Sequence, residues 1–301
     1  MAKPSADLNL KSPRLERCRM STTPIQGARL PSPYEVTSLS AYAAAFEEVW
    51  GRWTEGAEDV ESIWFRGQID GSWELIPAAH RAPYNDVPED RYRHDFFLRS
   101  RPFLEEATSP PSGDWDWYFL MQHYGVPTRL LDFTESALAA LYFATVEGAD
   151  ESCGCVWIFH PSNFNETHVG NGGDIPGYYE EFVRPYLQQV WAQPSFLPEL
   201  PIAIDPPYNS RRLVAQRGKF VVFGKQARPL DELKWTEKFL FKIDIPGRAK
   251  RSIRRQLLAA GISESVLFPG LAGLSREIRD AYTADMSFDF PSESDSGSES
   301  A

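Results

Sequence analysis

The chain has 301 residues, 42% of them hydrophobic and 13% aromatic, enough for one sizeable core; polar ends leave a single domain of about 240 residues. No run approaches the roughly 20 apolar residues that a membrane-spanning helix needs. The first twenty residues lack the apolar centre of a secretory signal, so a cytoplasmic protein with no membrane partner is expected. A net charge of −11 opposes indiscriminate binding to nucleic-acid phosphates but leaves room for a local basic site.

In chain order, residues 1–33 are rich in Pro, Ser, Thr and Arg without hydrophobic period and read as a flexible leader. Residues 38–51 (SLSAYAAAFEEVWG) have helical apolar spacing, with Ser38 or Ser40 as N-cap and Gly51 as stop. Residues 62–67 (SIWFRG) predict a short strand. A helix is predicted over 89–108, and a second, very aromatic one over 115–124, stopped by Gly125 and Pro127. Residues 129–133 (RLLDF) predict a strand and 135–147 (ESALAALYFATVE) a largely buried helix.

Further β-like runs follow at 155–160, 220–223 and 239–245, then a basic helix over 248–260, and 268–280 closes the domain. Residues 161–207 are poorly patterned, rich in Pro, Gly and Asn, with an aromatic helix-like piece at 178–191. They read as an insertion or lid over a site, or as surface decoration. From 286 to 301 acids and serines dominate, and disorder is expected. The separated blocks of strand and helix within 34–285 predict a single α+β domain rather than a doubly wound sheet. Cys153 and Cys155 are too close for an unstrained disulfide and two ligands short of a zinc set; structural thiols, and no metal, are expected.

Four segments carry chemistry. In Phe65-Arg66-Gly67-Gln68, an arginine at the exit of an apolar strand places a planar five-donor cation beside backbone that a ligand can approach. It suits a phosphate or carboxylate; equally, Arg66 could pair with an internal acid such as Asp132. The run 122–134 (QHYGVPTRLLDFT) gathers Gln122, His123, Thr128, Arg129, Asp132 and Thr134 around a turn and strand. Asp132 and Thr134, two apart, share a strand face. His123 could also be a simple helix C-cap. Residues 209–220 (NSRRLVAQRGKF) lead several arginines into Gln216, whose amide could meet a ligand hydroxyl or merely end a solvated helix. Residues 248–255 put five cations on one helix, a solvated face or a nucleic-acid contact.

In this order, WFRGQ (64–68), QHYGVPTRLLDFT with ALAALYFA (122–144), NSRRLVAQRGKF (209–220) and LFPGLAGLS (267–275) closely resemble the FRG domain, named for its Phe/Tyr-Arg-Gly motif. More weakly, Phe65-Arg66-Gly67, then Asp132-Phe133-Thr134 and the helix 137–144, resemble ADP-ribosyltransferases of the arginine–serine–glutamate type. That resemblance implies a split-sheet core flanked by helices and NAD as substrate. Arg66 would hold pyrophosphate or ribose, and Thr134 the nicotinamide ribose, with Tyr142 packing nearby. Gly67, Gln68, His123, Thr128, Arg129 and Asp132 would line the nucleotide site. Gln216 falls near the place of the family's glutamate; it cannot ionise, so Asp132 or another acid would have to substitute. The acceptor would be a protein or a nucleic acid, the latter helped by residues 248–255, and a toxin or antiviral effector would suit such an enzyme. A nucleotide-sensing module without turnover is the alternative, and a nucleic-acid-processing enzyme using His123 and Asp132 a third.

Overall fold

The computed structural model describes residues 36–54, 62–106, 111–146, 152–187 and 197–283; the leader and tail expected at 1–33 and 286–301 lie outside them. Helix α1 spans Leu39–Thr54. Of the two candidate caps Ser38 serves, its Oγ accepting from Ala41 N at 3.1 Å.

Strands β1 (Trp64–Gln68), β2 (Leu130–Thr134), β3 (Gly154–Phe159), β4 (Ile202–Ile204), β5 (Gly218–Val222) and β6 (Leu240–Ile245) form one antiparallel sheet. Its order is β4-β5-β2-β1-β3-β6. The ladder is uneven. β3 pairs with β1 over five residues and with β6 over six, and β2 pairs with β5 over five. Between β1 and β2 there is one register pair, Phe65 opposite Thr134. The sheet is therefore two three-stranded halves meeting at a point, an α+β core with a split.

Alternation along the strands assigns the faces. Phe65, Val156, Ile158, Phe241 and Ile243 point to a core closed by α1, α4 (Ala137–Thr145) and α7 (Gly247–Ala259). Trp64, Trp157 and Phe159 point the other way, into a cluster with Leu131, Phe133 and Phe164 of α5 (Pro161–His168). Every position of β3 is buried, as expected of a strand covered on both faces. Helix α3 (Asp114–His123) supplies Trp115, Tyr118, Phe119 and Met121 to a third cluster against Leu130, Phe220 and Val222.

Helix α4 starts on Ser136, whose Oγ accepts from Ala139 N at 3.2 Å. It lies unusually close to the sheet: a Cβ on Gly67 would stand 1.8 Å from Ala140 O, and one on Gly154 2.4 Å from Ala144 O. Only glycine allows backbone to pass so near backbone.

Three sequence expectations change. The single helix over 89–108 is α2 (Glu89–Arg99) followed by a 3₁₀ segment, Arg101–Glu106, because Pro102 cannot continue the α-helical ladder. The stretch 161–207 provides α5 and the sheet strand β4, while Val183, Tyr186 and Leu187 pack on the α3 cluster; the end of the helix-like piece at 178–191 lies outside the described residues. Cys155 is a buried free thiol pushed up to about 12 by burial, whereas Cys153 is disulfide-bonded rather than the thiol expected. Among the described residues no helix is long and apolar enough to cross a membrane.

Candidate functional site

The site begins at the split. Because Phe65 faces Thr134 across it, the next residue, Arg66, leaves β1 on the face opposite Thr134 and Asp132. Its guanidinium turns into the gap where the strands diverge. There Nη1 donates to the Asp132 carbonyl at 2.7 Å and lies 3.9 Å from Asp132 Oδ2. A continuous ladder would occupy such a carbonyl with a backbone N–H; here a side chain does so. Arg66 is thus engaged with Asp132, the second of the two arrangements its sequence context allowed. Burial lowers its pKa, opposed by the Asp132 carboxylate, and its Nε is buried without a partner.

The Asp132 side chain is 56% exposed. Gln122 at the end of α3 donates Nε2 to Asp132 Oδ2 at 2.7 Å, and the buried Thr128 hydroxyl donates to Gln122 Oε1. The Thr128 contact settles which end of the amide faces the carboxylate.

Above Asp132 opens a cleft of about 490 Å³ whose lining includes Gln122, His123, Asp132, Arg212, Gln216 and Phe268. One wall is the C-terminal end of α3. The second is α6 (Arg211–Ala215), capped by Ser210, whose Oγ accepts from Leu213 N at 3.1 Å. The third runs from α8 (Glu264–Leu267) into α9 (Leu271–Thr283). Gln216 closes α6, and its Nε2 donates to Leu267 O at 3.1 Å. Half-buried His123 has its pKa lowered, first by burial and then by the Arg212 charge, so its ring is neutral near pH 7. Phe268 lies between two guanidiniums, Arg212 at 4.7 Å and Arg276 at 5.3 Å from its centroid.

Other residues singled out in the sequence sit elsewhere. Thr134 is 4% exposed; its hydroxyl donates to Gln216 O at 2.5 Å and accepts from Ser136 N at 2.9 Å. It does not face Arg66 across a shared hollow; it clamps the end of α6 to the start of α4. Gly67 lies beneath α4. Gln68 accepts from Trp157 Nε1 at 2.7 Å in the interior. Arg129 is buried in an ion pair with Glu89 at 2.7 Å, and its Nη2 donates to Tyr186 O at 2.5 Å. Tyr142 donates to Glu264, which also binds Arg276.

On the basic helix α7, Lys250 is fully buried, with Nζ donating to Ile69 O at 2.7 Å, and Arg254 donates to Thr145 O. The cation row at 248–255 is therefore turned partly inward.

Of the candidates, His123, Asp132 and Gln216 are brought together, with Arg66 behind Asp132. Arg212, Phe268 and Arg276 are additions. The first two lie within motifs already noted, but their meeting across some fifty residues leaves no periodic signal.

Searches of curated proteins and of solved structures give no match. The FRG domain family model matches residues 61–153, a span holding β1, the split, the Asp132-bearing strand and α4. By that match, the chain carries an FRG domain.

Proposed function

We propose that this domain binds NAD in the cleft and transfers its ADP-ribosyl group to a nucleophile on a protein or nucleic acid. The observation that carries the reading is the exposed Asp132 carboxylate, 3.9 Å from the Arg66 guanidinium below and hydrogen-bonded by Gln122 from the side. Breaking the bond between nicotinamide and ribose sends the electron pair out with nicotinamide and leaves positive charge on the ribose. A fixed carboxylate at the cleft floor stabilises that charge as it develops, the part that Gln216 cannot play. The neutral His123 ring is available to take the proton of the attacking nucleophile. Thr134 acts at one remove, by holding the chain at Gln216.

The test is calorimetry with NAD combined with assay of released nicotinamide. Wild type binds NAD and releases nicotinamide; Asp132→Asn binds but releases it at least about a hundredfold more slowly. Absence of NAD binding at millimolar concentration refutes the proposal. One observation favours a second reading, nucleotide sensing without turnover: the Gln216 amide is tied to the Leu267 carbonyl. Binding without nicotinamide release by the wild type would select it.

A further inference from the structure

Four guanidiniums belong to the cleft and its floor, and they are not equivalent. Arg66 is engaged with Asp132, and Arg276 pairs with Glu264 at 2.5 Å. Arg211 and Arg212, adjacent on α6 and both lining the cleft, have no carboxylate partner within ion-pair distance among the described residues. Arg212 is the telling case. Burial lowers its pKa, and of its five N–H donors one reaches a protein acceptor, the His123 carbonyl, at 3.4 Å. Its Cζ lies over the Phe268 ring, 4.7 Å from the centroid.

No Arg212 nitrogen is both buried and unpartnered, so its remaining donors are open to the cleft, where an anion can replace water on them. Asp132 and Glu264 act on Arg212 electrostatically, but among the described residues neither stands within ion-pair distance of it. Carboxylate and phosphate both match a single guanidinium fork. Two adjacent guanidiniums require an anion with acceptor oxygens on more than one side, which favours phosphate. Asn209 and Ser210 line the same wall and add polar groups.

We infer that Arg211 and Arg212 form a phosphate subsite for a diphosphate-bearing nucleotide. This moves phosphate recognition away from Arg66, whose Nη1 is held by the Asp132 carbonyl at the split. The inference rests on the proposed nucleotide reading of the cleft, but the two can fail separately.

The experiment is calorimetric titration of the full chain with inorganic pyrophosphate, ADP-ribose and adenosine. Pyrophosphate and ADP-ribose bind wild type, and adenosine binds more weakly than ADP-ribose. Arg212→Gln weakens both phosphate ligands by about tenfold or more, and Arg211→Gln by a smaller factor. Arg212→Lys, which keeps the charge but loses the fork, falls between wild type and Arg212→Gln. Thermal melts check folding; should Arg212→Gln be unfolded, the exposed Arg211 position carries the comparison. Pyrophosphate affinity that is absent at millimolar concentration, or unchanged in the variants, overturns the inference. NAD turnover without pyrophosphate binding sinks the subsite alone; Arg212-dependent pyrophosphate binding without NAD turnover sinks the transferase alone.

Discussion

Replacing Gly67 with alanine separates two meanings of the motif's glycine. A ligand-approach role predicts normal stability with lost binding. The packing of α4 predicts lost stability. The added Cβ would lie 1.8 Å from Ala140 O, 2.7 Å from Ala144 N and 2.9 Å from Ala140 C, all main-chain atoms of α4. Restoring ordinary contact, which begins near 3.4 Å, takes a local retreat of about 1.6 Å by helix or strand. Ala140, Leu141 and Ala144 are fully buried on that helix, so no side-chain rotation relieves the clash. Overpacking of this kind costs about 3 kcal/mol or more, which for a domain of this size lowers Tm by roughly 6–12 °C. Scanning calorimetry and urea denaturation of Gly67→Ala read the loss directly. Gly51→Ala is the control: on α1, with nothing within 4 Å of its Cβ, it leaves stability unchanged or raises it by up to about 1 kcal/mol. A Gly67→Ala melt within about 2 °C of wild type would refute the packing argument.

Arg129→Met strands Glu89 without its cation and frees the Phe223 and Tyr186 carbonyls inside the protein. A loss of about 3–5 kcal/mol in urea is expected, and a loss below about 1 kcal/mol would contradict it. Acid should also destabilise the fold. Burial is the main reason that His80, His123 and His168 hold their pKa below the ordinary value. The unfolded chain therefore takes up protons near pH 6.5 that the native state still refuses. This contribution is complete above about pH 6.5 and falls away as the pH drops through the lowered native values. Melts between pH 7.5 and 5.5 should show a falling midpoint, most weakly in a His80→Gln, His123→Gln, His168→Gln triple variant; a midpoint that rises on acidification contradicts the assignment.

The sheet strands of five or six residues and the buried α4 were legible because alternation and apolar density act over a few neighbours. β4 was not: three residues between prolines and acids carry too little pattern to separate from a loop. The site divided along similar lines. Asp132 and Gln216 could be picked out as polar groups in apolar surroundings, but not the faces they occupy. Arg129 looked like a ligand contact because its partner, Glu89, lies forty residues away. Thr134 looked like a ribose contact because the clamp that uses its hydroxyl requires α6 to be in place. In Lys250 the long stem crosses to Ile69, so a cation that reads as surface is core. Each miss concerns a long-range partner, which local spacing does not encode.

The junction of β1 and β2 at one residue pair also bears on how the chain is assembled. One half of the sheet, β1-β3-β6, runs from residue 64 to residue 245 and encloses all of the other, which runs from 130 to 222. Neither half is a continuous piece of chain, so each is held by pairings between residues far apart in sequence. The span from 61 to 153 supplies β1 and β2, which touch at a single pair, but none of β3, β5 or β6, with which those strands make their long ladders. The stretch matched as a unit of sequence is, in this molecule, a fraction of a sheet that strands between Gly154 and Ile245 complete.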